Sequence, residues 1–211
     1  MVGNTPLDRR AQETIEHLCW RWKHANRTVL RRVFPLLSRG RALPLSVIAE
    51  AAGVSRQVIE DILVAGRAGR DTEGRVTELF GVTLDPTLHR VEIDGVCLFT
   101  CCAAVAQMVP SLIEKKARIE SVDPVSRLIV RLQVDPEGVP LWDPPEAHAC
   151  FVETHLDQVM SDVGAAFCSH VRHFASRESA QQFVEADPVR YLLSIHDLHT
   201  VAVQLYRRIW G

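Results

Sequence analysis

Residues 95–113 read GVCLFTCCAAVAQMVPSLI, nineteen positions without a charged side chain. A run of this kind has to be buried, and the rest of the chain must be arranged to cover it. Its length would admit a membrane span, which needs about 18 or more apolar residues. Its content argues against one, because Thr100, Gln107 and Pro110 interrupt it and no aromatic belt flanks it. The pattern predicts a buried strand over residues 96–99, then Thr100 as the N-cap of a short buried helix over 101–109, broken by Pro110. On that reading Cys101 and Cys102 occupy the first helical turn, where free backbone N–H groups and the helix dipole favour a thiolate. A single cysteine in such a run is most simply a small buried hydrophobe. An adjacent pair at a helix start points toward chemistry.

Charge narrows the partners. With 24 Lys+Arg against 26 Asp+Glu the net charge is -2, so no global attraction draws the chain to nucleic acid or anionic lipid. The N-terminal MVGNTPLDRRAQE lacks the apolar run of a secretory signal, and a cytoplasmic location is expected. In that compartment six irregularly spaced cysteines read as free thiols. No CxxC pair or CxxC with HxxxH occurs, which leaves a structural zinc site unsupported.

The first 95 residues read as a winged-helix-like helical module. Thr5 and Pro6 suit a helix start, with Ile15, Leu18, Cys19 and Trp22 at helical spacing after them. A second helix is expected over 27–38, ending near Gly40. PLSVIAEAAGVSRQVIEDILVAG then has a helix from Leu45, a turn at Gly53 and a helix capped by Ser55, a helix-turn-helix pattern. Two strand-like segments, GRDTEGRVTELFGVTL and LHRVEIDG, would form a wing. Arg56, Arg67, Arg70 and Arg75 could meet phosphates, but Glu60 and Asp61 in the recognition position argue against DNA.

Residues 96–211 read as an α+β domain with a mixed or antiparallel sheet and flanking helices. ARIESV, SRLIVRLQV and AHACFVE alternate as strands, and residues 167–174 alternate well enough for another. SRESAQQFVEA and DPVRYLLSIHDLHTVAVQLYRRIW read as helices, the second with Pro188 in its first turn. Strands grouped in the middle with helices at the end imply α+β.

Two segments then look familiar. LFTCCAAVAQMVPSLIEKKARI (98–119) and FCSHVRHFAS (167–176) resemble the two cysteine-bearing segments of the organomercurial (alkylmercury) lyases, supported by the VEIDG strand before the first. The resemblance implies a cytoplasmic enzyme that cleaves a carbon–mercury bond, releasing hydrocarbon and bound Hg(II). It also implies that no cofactor is required, that Hg(II) or another soft metal ion is product or ligand, and that the partner is a small organometallic or metal ion; no membrane partner is expected, and the charge pattern already argues against nucleic acid. The family's paired cysteines carry over to Cys102 and Cys168. Its aspartate, three residues after the first cysteine, does not: Val105 stands there. A further family cysteine falls near Asp123 and is also missing, while Cys101 replaces a usual aromatic residue.

These departures bear on mechanism. Mercury prefers thiolate strongly, so two convergent cysteines bind it, but cleavage also needs a proton at the departing carbon. Loss of a positioned acid/base costs about 10² to 10⁴ in rate. Cys101 is a candidate substitute, as proton source or third ligand, and His170 a candidate auxiliary that shares a face with Cys168 if that segment is a strand. His173, Cys19, Cys97, Cys150, Trp20, Trp22, Trp142 and Trp210 read as packing, and His196 with His199 lacks a third ligand. Two other classes stay open: a non-lyase relative that binds a soft metal such as Hg(II) or Cu or acts on another thiol-reactive substrate, and a winged-helix metal-sensing regulator.

Overall fold

The computed structural model describes residues 7–22, 27–66, 68–136 and 138–210. The expected start at Thr5–Pro6 lies outside them. Helix α1 (Arg9–Arg21) is capped by Asp8, whose carboxylate accepts the Ala11 N–H at 2.8 Å. Its apolar face buries Ile15 and Leu18. Helix α2 (Arg27–Leu37) follows, then α3 (Leu45–Ala52), which ends on Gly53 at φ 68°. Ser55 caps α4 (Arg56–Ala65) as its position suggested.

The strands after α4 do not form a detached wing. β1 (Glu78–Leu79) pairs with β2 (Val82–Thr83), and β2 pairs with β4 (Val96–Thr100). β4 also pairs with β3 (His89–Ile93), which pairs with β5 (Ala117–Val122). With β6 (Ile129–Val134) and β7 (Leu141–Asp143) this gives one antiparallel sheet in the order β1-β2-β4-β3-β5-β6-β7. The junction between residues 95 and 96 therefore falls at a hairpin turn inside a single sheet. A second sheet, β10-β8-β9, is built from β8 (His148–Val152), β9 (Arg172–Phe174) and β10 (Arg190–Ser194).

Helix α5 (Ala103–Ile113) is the centre of the fold, and all eleven of its residues are buried. It lies between β3–β5, α2 and α8 (Ile195–Ile209), so no face is left for a charge. Each fully buried Val, Leu or Met there contributes about 1.5–3 kcal/mol. The helix starts two residues later than expected and runs through Pro110, ending at Glu114 in the left-handed region (φ 57°). Among the described residues no helix is long and apolar enough to cross a membrane.

Two further expectations are corrected. Residues 167–174 are not one strand: Gly164–Cys168 forms a wide π-helical turn after α6 (Leu156–Ser161), and only β9 is extended. The C-terminal segment is not one helix, since β10 fills the edge of the small sheet before Ser194 caps α8.

Asp123 ties these parts together from a fully buried position. Its carboxylate accepts N–H groups of Val125 (2.8 Å), Ser126 (3.1 Å) and Ala175 (3.0 Å), and hydroxyls of Ser126 and Ser179 (each 2.7 Å). It thus joins the β5–β6 turn to the start of α7 (Arg177–Glu185). Burial opposes its charge, but the donors, Ser179 first, outweigh burial and hold the carboxyl below its usual range.

Candidate thiol site

Cys101 and Cys102 form the link between β4 and α5 rather than a helical turn. Cys102 is extended (φ -155°, ψ 167°) and serves as the N-cap residue. Three hydrogen bonds hold the link: the Thr100 hydroxyl donates to the Cys102 carbonyl (3.1 Å), the Cys101 N–H to Gly81 (2.9 Å) and the Ala103 N–H to Val171 (3.1 Å). The last of these brings in the second segment, where Cys168 ends the π-helical turn. Arg172 completes the join. Its Nη1 donates to the carbonyls of Cys101 (3.2 Å), Val171 (3.0 Å) and Cys168.

The sulfurs of Cys101, Cys102 and Cys168 consequently lie within 4.8 Å of one another. The Cys101 and Cys168 sulfurs are 3.2 Å apart. Because Cys102 is extended and not helical, the 100° separation of consecutive helix residues does not apply. Gly81 makes room: at φ 80° it sits so close that a Cβ there would lie 2.6 Å from the Cys101 sulfur.

Cys101, Cys168 and Val105 line a cavity of about 200 Å³. Its walls are mostly apolar and come from distant parts of the chain: Trp22 and Phe80 from the first half, Met108 from α5, Phe167 from the π-helical turn, and Leu205, Ile209 and Trp210 from the end of the chain. The Trp22 and Phe80 rings are 4.5 Å apart and tilted by 57°, and Trp210 meets Phe80 edge-on at 6.2 Å. Arg21, Glu78 and Asp162 are the charged residues of the lining. Cys102 does not line the cavity; it is fully buried behind the other two.

The three thiols differ electrostatically. Burial opposes a Cys102 thiolate, but the neighbouring Cys101 and Cys168 thiols, the Val105 N–H and the Arg172 charge outweigh it and hold Cys102 well below the ordinary thiol range. Cys101 is pushed well up by its interactions with Cys102 and Cys168 and by burial. Cys168 is eased by the Cys101 thiol but raised more by Cys102 and by burial, ending well above the ordinary range. Of the three, Cys102 is thus the sulfur on which a negative charge is favoured, and Cys101 and Cys168 are the two that hold their protons.

The remaining candidates are elsewhere. His170 does not line the cysteine cavity; its Nδ1 accepts from Arg190 (3.0 Å), with Asp187 at 3.8 Å, in a separate surface hollow. Val105 faces the cavity and offers no proton. His173 is packed and bonded to Ser121 (2.8 Å) and Gln107 (2.9 Å), with burial and then Arg172 pushing it down to about 3. His199 contacts the Gly138 carbonyl at 3.1 Å. Cys150 is buried and pushed up to about 12 by burial, whereas Cys97 is exposed beside Arg90, not packed. Trp22 and Trp210, read as packing, are cavity walls. Sequence reasoning missed Gly81 and Arg172. The Phe80–Gly81 pair at a turn was the available sign of the first, and nothing in the spacing marks the second.

An α+β fold in which three free thiols meet beneath an apolar cavity offers a donor set of the kind soft metal ions prefer. The family model for MerB, alkylmercury lyase, matches residues 82–207. The alkylmercury lyase of Staphylococcus epidermidis is 31% identical over 170 residues, covering 80% of this chain and 77% of the relative. That of Pseudomonas putida is 33% identical over 162 residues, 76% and 73% of the two chains. A crystal structure of the mercury-bound form of MerB2 shares the fold at a TM-score of 0.76 and 15% identity, over 96% of this chain and 100% of that one. The chain belongs to the alkylmercury lyase family, and its function is organomercurial lyase-like.

Proposed function

We propose that the cavity takes a small organomercurial with its hydrocarbon group against the aromatic walls and its mercury on the sulfurs of Cys101, Cys102 and Cys168. The Cys102 thiolate binds mercury and displaces the outgoing anion. The proton on Cys168 then passes to carbon, which keeps the electron pair of the carbon–mercury bond and leaves as hydrocarbon, while Cys101 stands by as a third sulfur ligand. The sulfur that gave the proton becomes the second thiolate on Hg(II). Charge and protons balance without a change in the oxidation state of mercury.

The observation that carries this reading is the convergence of three sulfurs within 4.8 Å at an apolar cavity. With Val105 in place of a carboxylate, proton delivery rests on sulfur and is slower than with a positioned acid by about 10² to 10⁴. His170 has no part in the step, because its ring meets Arg190 and Asp187. The module of residues 1–95 serves as a cavity wall and not as a nucleic-acid reader. Two features support this: Trp22 and Phe80 line the cavity, and Arg70 is engaged by Glu60. A reducing cytoplasm suits a site that needs free thiols.

The test is incubation with phenylmercury and measurement of benzene by gas chromatography. Release by the wild type and its loss in Cys102→Ser and Cys168→Ser are expected. Undiminished release in either variant removes that sulfur from the mechanism.

A further inference from the structure

The spacing of the sulfurs points to a second ligand. With a metal–sulfur bond of about 2.3 Å, a linear pair of thiolates spans about 4.6 Å and a trigonal planar pair about 4.0 Å. A pair meeting the ion near a right angle spans about 3.3 Å. The Cys101 and Cys168 sulfurs are 3.2 Å apart, and the Cys102 sulfur lies within 4.8 Å of both. The short edge matches a pyramid with its apex ion above the three sulfurs, whereas a two-coordinate linear ion has to spread it. Pyramidal coordination by three sulfurs is the habit of a trivalent ion that carries a lone pair. The group holds no histidine or carboxylate ligand among the described residues, which selects against harder ions. Cys101 and Cys168 line a cavity with apolar walls, where a lone pair needs no partner.

We propose that Cys101, Cys102 and Cys168 form a binding site for trivalent arsenic, taken up as arsenous acid. This inference rests on the same convergence of sulfurs as the proposed function. Three thiols react with As(OH)₃, each giving its proton to a departing hydroxide. Three As–O bonds break, three As–S bonds form and three waters leave, with arsenic trivalent throughout. Bound arsenic fills the floor of the cavity, so arsenite and organomercurials exclude each other.

The test titrates the reduced full chain, freed of added thiol, with sodium arsenite, following near-ultraviolet sulfur–arsenic absorption and thiol reactivity. Saturation at one arsenic per chain is expected, with three thiols protected and phenylmercury cleavage blocked. Cys101→Ala, Cys102→Ala and Cys168→Ala each weaken arsenite binding on the order of 100-fold or more by removing one of three linked bonds. Each variant still takes up one Hg(II) on its remaining pair. Serine variants repeat the measurement wherever an alanine variant fails to fold. Absence of arsenite saturation in a wild type that cleaves phenylmercury overturns the arsenic site alone, as does unchanged arsenite affinity in Cys101→Ala. A wild type that neither cleaves phenylmercury nor binds Hg(II) overturns the shared convergence and both readings with it.

Discussion

Replacing Gly81 by alanine tests how closely the fold holds Cys101. The residue sits at φ 80°, where an L side chain costs roughly 1–2 kcal/mol. The new Cβ would stand 2.6 Å from the Cys101 sulfur and 3.4 Å from Val105 Cγ2. Ordinary contact needs about 3.5–4.0 Å, so the sulfur must move by about 1 Å or leave its rotamer, for about 0.5–1.5 kcal/mol more. Gly95 supplies the control, because it has nearly the same φ (79°) and nothing within 4 Å of its added Cβ. Gly95→Ala should therefore show the backbone cost alone and keep wild-type cleavage. Gly81→Ala should melt a few degrees lower still, at about 2–4 °C per kcal/mol for this size. It should also lose about 10² in benzene release, the usual effect of a 1 Å misplacement of a reacting group. Equal melting temperatures and wild-type turnover in both variants would refute the close approach of Gly81 to Cys101.

Other perturbations test the supports. Asp123→Asn should cost about 2–4 kcal/mol near neutral pH, read by urea unfolding. Since folding holds this carboxyl below its unfolded value of about 4, its contribution is complete above that value and is lost as pH falls through the folded one. The gap between wild type and variant should accordingly close in acid. Arg172→Met removes the common donor of the Cys101 and Cys168 carbonyls and should lower cleavage by about 10- to 100-fold. Arg172→Lys, which keeps the charge and a donor, should recover part of the loss. Val105→Asp places a carboxylate on the cavity wall and should speed benzene release by about 10² or more, at a stability cost of about 1–3 kcal/mol.

Much of the fold was legible in the chain because burial and periodicity are local. An uncharged run of nineteen residues had to become the centre, and alternation in ARIESV and SRLIVRLQV gave β5 and β6. What escaped depended on distant partners. Pro110 stays within α5, a helix buried on every side, where packing outweighs one lost hydrogen bond. Residues 190–194 have a helical look, yet the open edge of β8 takes them as a strand. The segment ending in Cys168 coils into a π-helical turn, and its alternation is coincidental. The pairing of Cys102 with Cys168 could be read from motifs. That Cys101 and Cys168 face the cavity while Cys102 lies behind could not, because it follows from the extended N-cap and from Gly81.

The most direct measurement is a single turnover with one equivalent of phenylmercury and no added thiol, counting benzene released and free thiols left. One benzene per chain, with Hg(II) retained and two thiols consumed, is the predicted result, together with no release from Cys168→Ser. Full release from Cys168→Ser, or release that leaves every thiol free, would contradict cleavage by the converging sulfurs.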